Sequence, residues 1–195
     1  MRYLVGLSNR GSKPSDHDEL RSRVKSLITH LGAQLIEVRI SDLRIEVDVR
    51  TDRIAEVLER LEEVGEVLYH VAVGLAEGEG DPFERALELF NDQRYWEAHE
   101  SLEALWRRSK ENERTLLNGL ILIAAAHVKL QVGDEAGYFR VLARALEKLE
   151  ASNMREYRGL DIESIAEKLR GTLAERSATL GSIKLILEKS PRKTY

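Results

Sequence analysis

This sequence predicts an α+β chain in two parts, a β-α-β-β-α-β domain over residues 1–74 and an all-helical domain over residues 81–195. Three observations predict it. Apolar residues alternate with polar ones at period two in short stretches before residue 74, the mark of strands with one buried face. A glycine-rich segment, Gly74-Leu75-Ala76-Glu77-Gly78-Glu79-Gly80, then marks a boundary, with residues 75–80 as the linker. Beyond Asp81 every apolar stripe has helical spacing.

The elements follow in order. Residues 2–8 form a short apolar strand. Ser15 offers an N-cap, and Asp16, Asp18 and Glu19 complement the positive end of a helix carrying Leu20, Val24, Leu27, Ile28 and Leu31. Residues 34–40 and 43–49 alternate strictly, and the short Ser41-Asp42 link predicts an antiparallel hairpin with one buried and one wet face. A second helix carries Ile54, Val57, Leu58, Leu61 and Val64. Residues 67–73 close the domain with Val67, Tyr69, Val71 and Val73 on one side. That order is the ferredoxin-like signature. The polar faces of the middle strands carry charges rather than base-stacking aromatics, which disfavours RNA binding through the sheet. Dimerisation through the sheet, or packing against the second domain, is the better expectation.

The second domain opens on Asp81-Pro82-Phe83-Glu84, an N-cap aspartate with proline at the first helical position. Helices are predicted near 94–108, from Glu113 to Gln131 as the most buried, a fourth carrying Phe139, Leu142, Ala143, Leu146 and Leu149, and one from an Asp161 cap to Arg176. The paired helices and the Gly133-Asp134 break are similar to tetratricopeptide hairpins, but no fixed repeat period is present.

Composition narrows function. With 43% apolar residues the chain can bury a core, and no run is long enough to span a bilayer. The chain has no cysteine, so thiolate catalysis and thiolate metal sites are excluded. A net charge of −4 argues against a general nucleic-acid binder. The short basic tail Lys184–Tyr195 reads as a solvated terminus. No signal peptide is evident, so a cytoplasmic location is expected. Many charges beside two methionines and few glutamines lean toward a thermophile.

The chemistry concentrates in Phe90–Trp106, FNDQRYWEAHESLEALW, which holds both tryptophans. On a helix His99, Glu103 and Trp106 share one face, with Trp96 a turn earlier. His99-Glu100-Ser101-Leu102-Glu103 is an H-E-x-x-E pattern, close to the H-E-x-x-H of zinc proteases. His99 and Glu103 could therefore supply two ligands to a divalent metal ion, the cofactor this motif brings into view. As catalysts, His99 would be the general base, Glu103 or Glu100 its orienter, and Trp96 or Trp106 a pocket wall. The bland reading is a buried polar network tying helices together. Asn91, Tyr95, Trp96, Trp106 and Lys129 are the candidate ligand-binding residues around it. His127, alone on an apolar helix face, reads as a core histidine.

These same residues carry a resemblance. Phe90-Asn91, Tyr95, Glu97-Ala98-His99-Glu100, Leu102-Glu103, Trp106, Gly119-Leu120-Ile121, Ala124-Ala125-Ala126, Gly133-Asp134 and Tyr157-Arg158-Gly159-Leu160-Asp161 make the second domain resemble the all-helical family called domain of unknown function 309, over roughly residues 82–175. The resemblance implies an all-helical domain and no assigned activity. Members often have a histidine near the end of the third helix; Lys129 stands there, with His127 nearby. Three readings stay open: a binding protein with a small-molecule or metal pocket at the motif, a hydrolase using His99, Glu100 and Glu103 with or without a metal, and a structural protein. A homodimer is the macromolecular partnership the first domain suggests.

Overall fold

The computed structural model describes residues 1–74 and 80–187. Residues 75–79 of the predicted linker, and the basic tail from Glu188 on, lie outside the described residues. The chain divides into two compact units, Met1–Glu79 and Gly80–Tyr195, with Gln131–Gly133 grouped with the first. Among the described residues no helix is long and apolar enough to cross a membrane.

The first unit runs β1 (Arg2–Ser8), α1 (His17–Thr29), β2 (Gln34–Ile40), β3 (Arg44–Arg50), α2 (Ile54–Leu61) and β4 (Val67–Ala72). Its antiparallel sheet has the order β2-β3-β1-β4. Strand β3 thus lies between β1 and β2, so the two are joined through α1 across an intervening strand, the split arrangement that the element order implies. Leu20, Val24 and Ile28 of α1 and Val57 and Leu61 of α2 share one core with Val5, Val38 and Val47 of the sheet. A 3-10 turn at Pro14–Asp16 delays α1 to His17, two residues past the predicted Ser15 cap.

Two local expectations fail. The first is the alternation of residues 67–73. Leu7 pairs with Val67 and Gly6 with Tyr69, so Leu68 is the extra residue of a bulge. Val67 therefore joins the core while Tyr69 crosses to the other face. There the Tyr69 ring lies on Gly6, where a Cβ would come within 2.2 Å of it. The second is the wet face of the hairpin. Arg39, Glu46 and Asp48 are buried. They neutralise one another: Arg39 sits opposite Glu46 in register, 3.3 Å from it, and 3.4 Å from Asp48. Arg2 holds Asp48 with a bidentate pair at 2.9 and 2.7 Å. Alternation reports which residues share a face, not whether water reaches it.

The second unit carries α3 (Pro82–Asn91), α4 (Tyr95–Trp106), α5 (Glu111–Gln131), α6 (Glu135–Ala151), the two-residue strands β5 (Glu156–Tyr157) and β6 (Leu160–Asp161), and α7 (Ile162–Glu175). The predicted caps at Asp81 and Asp161 form, accepting from the Phe83 and Ser164 N–H groups. Asp134, expected only as part of a chain break, also caps α6 by accepting from the Gly137 N–H. Helix α5 is lined by buried Leu116, Leu120, Ile123 and Ala124, as its composition predicted. Gly119 lets α6 approach closely: a Cβ there would meet the Leu149 side chain at 2.6 Å. The small β5–β6 hairpin was not predicted; it is too short for any periodicity to register.

Candidate functional site

Helix α4 buries Tyr95, Ala98 and Leu102 in the core and leaves a half-buried flank. The flank carries Trp96, His99, Glu103 and Trp106, with Glu100 exposed beside it. Helical geometry dictates this division, because His99, Glu103 and Trp106 lie at i, i+4 and i+7 on a stripe next to the buried one.

The motif separates into two groups. Its first residues are spent on the fold. Asn91 Nδ2 donates to the Leu185 carbonyl at 2.7 Å, and the Leu185 N–H donates to Asn91 Oδ1 at 2.9 Å. Lys184 Nζ reaches the Asn91 carbonyl at 2.8 Å. The Tyr95 hydroxyl, at the end of a fully buried ring, accepts from the Gly181 N–H at 3.1 Å. Together these hold the segment 181–185, whose Ile183 and Leu185 enter the helical core. Sequence reading missed this, since the partners lie ninety residues apart in the chain.

The later residues have looser surroundings. His99 Nδ1 is buried and has no hydrogen-bond partner. It lies 3.4 Å from the Glu100 carboxylate, within ion-pair range but outside hydrogen-bond geometry. Glu103 is engaged by Arg107 at 2.7 Å, one helical turn on. Glu97 is held bidentately by Arg94 at 2.7 and 2.6 Å. The Trp106 ring carries the Arg114 guanidinium 4.1 Å from its centroid, a cation–π contact. Arg107 and Arg94 are legible from their i,i+4 and i,i+3 spacing. Arg114 is not, because it comes from the next helix.

Lys129 is elsewhere. It lies 3.4 Å from Asp134, whose carboxyl is held below the usual carboxylate range chiefly by the Gly137 N–H. It therefore serves the junction of α5 and α6. Among the described residues no three His, Asp or Glu side chains cluster so as to hold a metal ion. A metal on His99 and Glu103 would thus lack a third protein ligand among them. Two shallow hollows, of about 310 and 270 Å³, lie along α7, and no residue of the α4 motif lines either.

Residues 83–141 match the family described as Domain of unknown function (DUF309). The match takes in α3, α4, α5 and the start of α6, where every motif residue that carried the resemblance up to Gly133-Asp134 lies. No curated protein matches the chain.

The matched segment also holds a feature that single-residue reading understated. His127 is fully buried, with its ring 5.2 Å from Phe90, 4.6 Å from Tyr95 and 5.4 Å from Tyr138. Its Nδ1 lies 2.8 Å from the Ile123 carbonyl, so Nδ1 carries the proton and Nε2 is an acceptor. Neither His127 Nε2 nor the Tyr138 hydroxyl has a hydrogen-bond partner. Burial lowers the imidazole from 6.5 to about 4 and raises the Tyr138 phenol to about 12. His127 is a neutral core residue of helix α5, not a charged ligand.

Proposed function

We propose that the helical domain is a ligand-binding module whose contact surface is the flank of α4 formed by Trp96, His99, Glu100, Glu103 and Trp106. The observation that carries this reading is His99 Nδ1, buried without a hydrogen-bond partner on a helix where Tyr95 and Glu97 both have theirs. Native structures rarely leave such an atom unmatched, because its desolvation is then uncompensated. A small organic molecule that hydrogen-bonds the imidazole, with its apolar body against the indoles, would satisfy it. Glu100 stands beside the imidazole to orient it. The hydrolase reading uses the same residues, but Glu103 is already engaged by Arg107, which leaves Glu100 as the orienter. The metal reading is weaker, for want of a third protein ligand among the described residues.

A specific observation favours a second, structural reading. Asn91 and Tyr95 hold residues 181–185, so part of the motif serves the fold. Thermal-shift screening of the full chain against metabolites and divalent metals, beside His99→Ala, tests the first reading. A compound that raises the melting temperature of the parent but not of His99→Ala is the expected result. No stabilising compound, together with a loss of stability in His99→Ala, would leave the structural reading.

A further inference from the structure

We infer that the helical domain holds residues 181–187 as a tethered peptide ligand, in a groove that takes an extended apolar-lysine-apolar segment in trans once the tethered one is released. This is independent of what the α4 flank binds. Beyond α7 the chain forms no further helix among the described residues, and one isolated antiparallel bridge, Leu160 to Leu187, sets it beside β6. Its side chains nevertheless alternate as in a strand. Ile183 and Leu185 are buried in the helical core and Leu187 packs on its edge, whereas Lys184 and Ile186 face out. Alternate side chains buried, with the backbone bonded separately, is how a domain binds an extended peptide.

The backbone is read by side chains of α3 and α4. Asn91, the last residue of α3, accepts from the Leu185 N–H at 2.9 Å and donates to the Leu185 carbonyl at 2.7 Å. One side-chain amide thus satisfies both main-chain groups of a residue, as a neighbouring strand would. Tyr95 of α4 fixes the other end, accepting from the Gly181 N–H at 3.1 Å. Lys184 is read through its charge: Nζ donates to the Asn91 carbonyl at 2.8 Å, at the negative end of the α3 dipole. Selectivity therefore falls on Ile183-Lys184-Leu185, two buried apolar side chains with a cation between them. Held by side chains of distant helices rather than by a helix or ladder of its own, the segment belongs to the part of a fold that opens locally first.

The probe is a fluorescein-labelled peptide of residues 177–187. Its receptor is the full chain carrying Ile183→Asp and Leu185→Asp, which expels the tethered segment without shortening the chain. Fluorescence anisotropy should show saturable binding to this variant. Binding to the parent should be weaker by about tenfold or more, because its own segment competes at high effective concentration. Adding Asn91→Ala to the variant should weaken binding by about tenfold, since it leaves a backbone N–H and carbonyl of the peptide unmatched. Glutamate in place of the lysine of the peptide should weaken it by about threefold or more. A variant that keeps the helical circular dichroism of the parent and does not bind the peptide overturns the proposal, as does binding that Asn91→Ala leaves unchanged. If the variant unfolds, hydrogen exchange of the parent decides. The Gly181 and Leu185 amides should exchange through an opening that the α5 amides do not share. Exchange only together with α5 overturns the proposal.

Discussion

Acidification should weaken the helical domain through His127, by an amount the structure allows one to work out. In the fold this imidazole is buried among Phe90, Tyr95 and Tyr138 and titrates near 4; unfolded, it titrates at 6.5. A folded value below the unfolded one means that the unfolded chain binds the proton first. Above 6.5 both states are neutral and the group contributes nothing. As pH falls from 6.5 toward 4, protons accumulate on the unfolded chain only, and stability is lost. The loss is about 2 kcal/mol by about pH 5 and approaches roughly 3 kcal/mol near pH 4. Carboxylates such as Asp134, Asp161 and Glu163 are held below their ordinary values, so their own losses come at lower pH. Urea unfolding of the parent and His127→Phe at several pH values isolates the histidine. Phenylalanine keeps an aromatic ring of similar size and removes the proton site. The difference in unfolding free energy should swing toward the variant by about 2 kcal/mol between roughly pH 7 and pH 5. A difference that stays constant over that interval would refute the claim that His127 is buried neutral.

Two further outcomes follow from the same contacts. Asn91→Ala should cost about 2–4 kcal/mol, because it orphans the Leu185 N–H and carbonyl together. Faster hydrogen exchange at the Leu185 amide should accompany it, and an unchanged exchange rate would mean that the segment is held otherwise. Asp48→Ala in the first unit should cost about 3–5 kcal/mol, since it removes the bidentate Arg2 pair and the Arg39 contact from a buried network. A loss below about 1 kcal/mol would show that these charges are solvated after all.

Much of the fold was legible. The strand and helix order, the caps at Asp81 and Asp161 and the burial of α5 all rest on local rules: period, turn chemistry and capping. What failed depends on tertiary context. The bulge at Leu68 breaks the single side expected for Val67, Tyr69, Val71 and Val73, because only pairing with β1 reveals the extra residue. The face predicted wet on β2 and β3 carries buried Arg39, Glu46 and Asp48, which pair with one another and with Arg2 from β1. In the motif, spacing placed His99, Glu103 and Trp106 together on one flank. It could not show that Asn91 and Tyr95 reach residues 181–185, nor that Arg114 stacks on Trp106. Long-range partners leave no periodic trace.

The central claim is that the later half of the motif is kept for a ligand rather than for the fold. The most direct measurement is the unfolding free energy of His99→Leu beside the parent in the absence of any ligand. Leucine roughly conserves volume and removes a buried nitrogen that has no partner. The account predicts unchanged or increased stability, as expected where a site holds an unmatched polar group. A loss of about 1–3 kcal/mol would mean that His99 is bonded within the fold, and the α4 flank would then be structural.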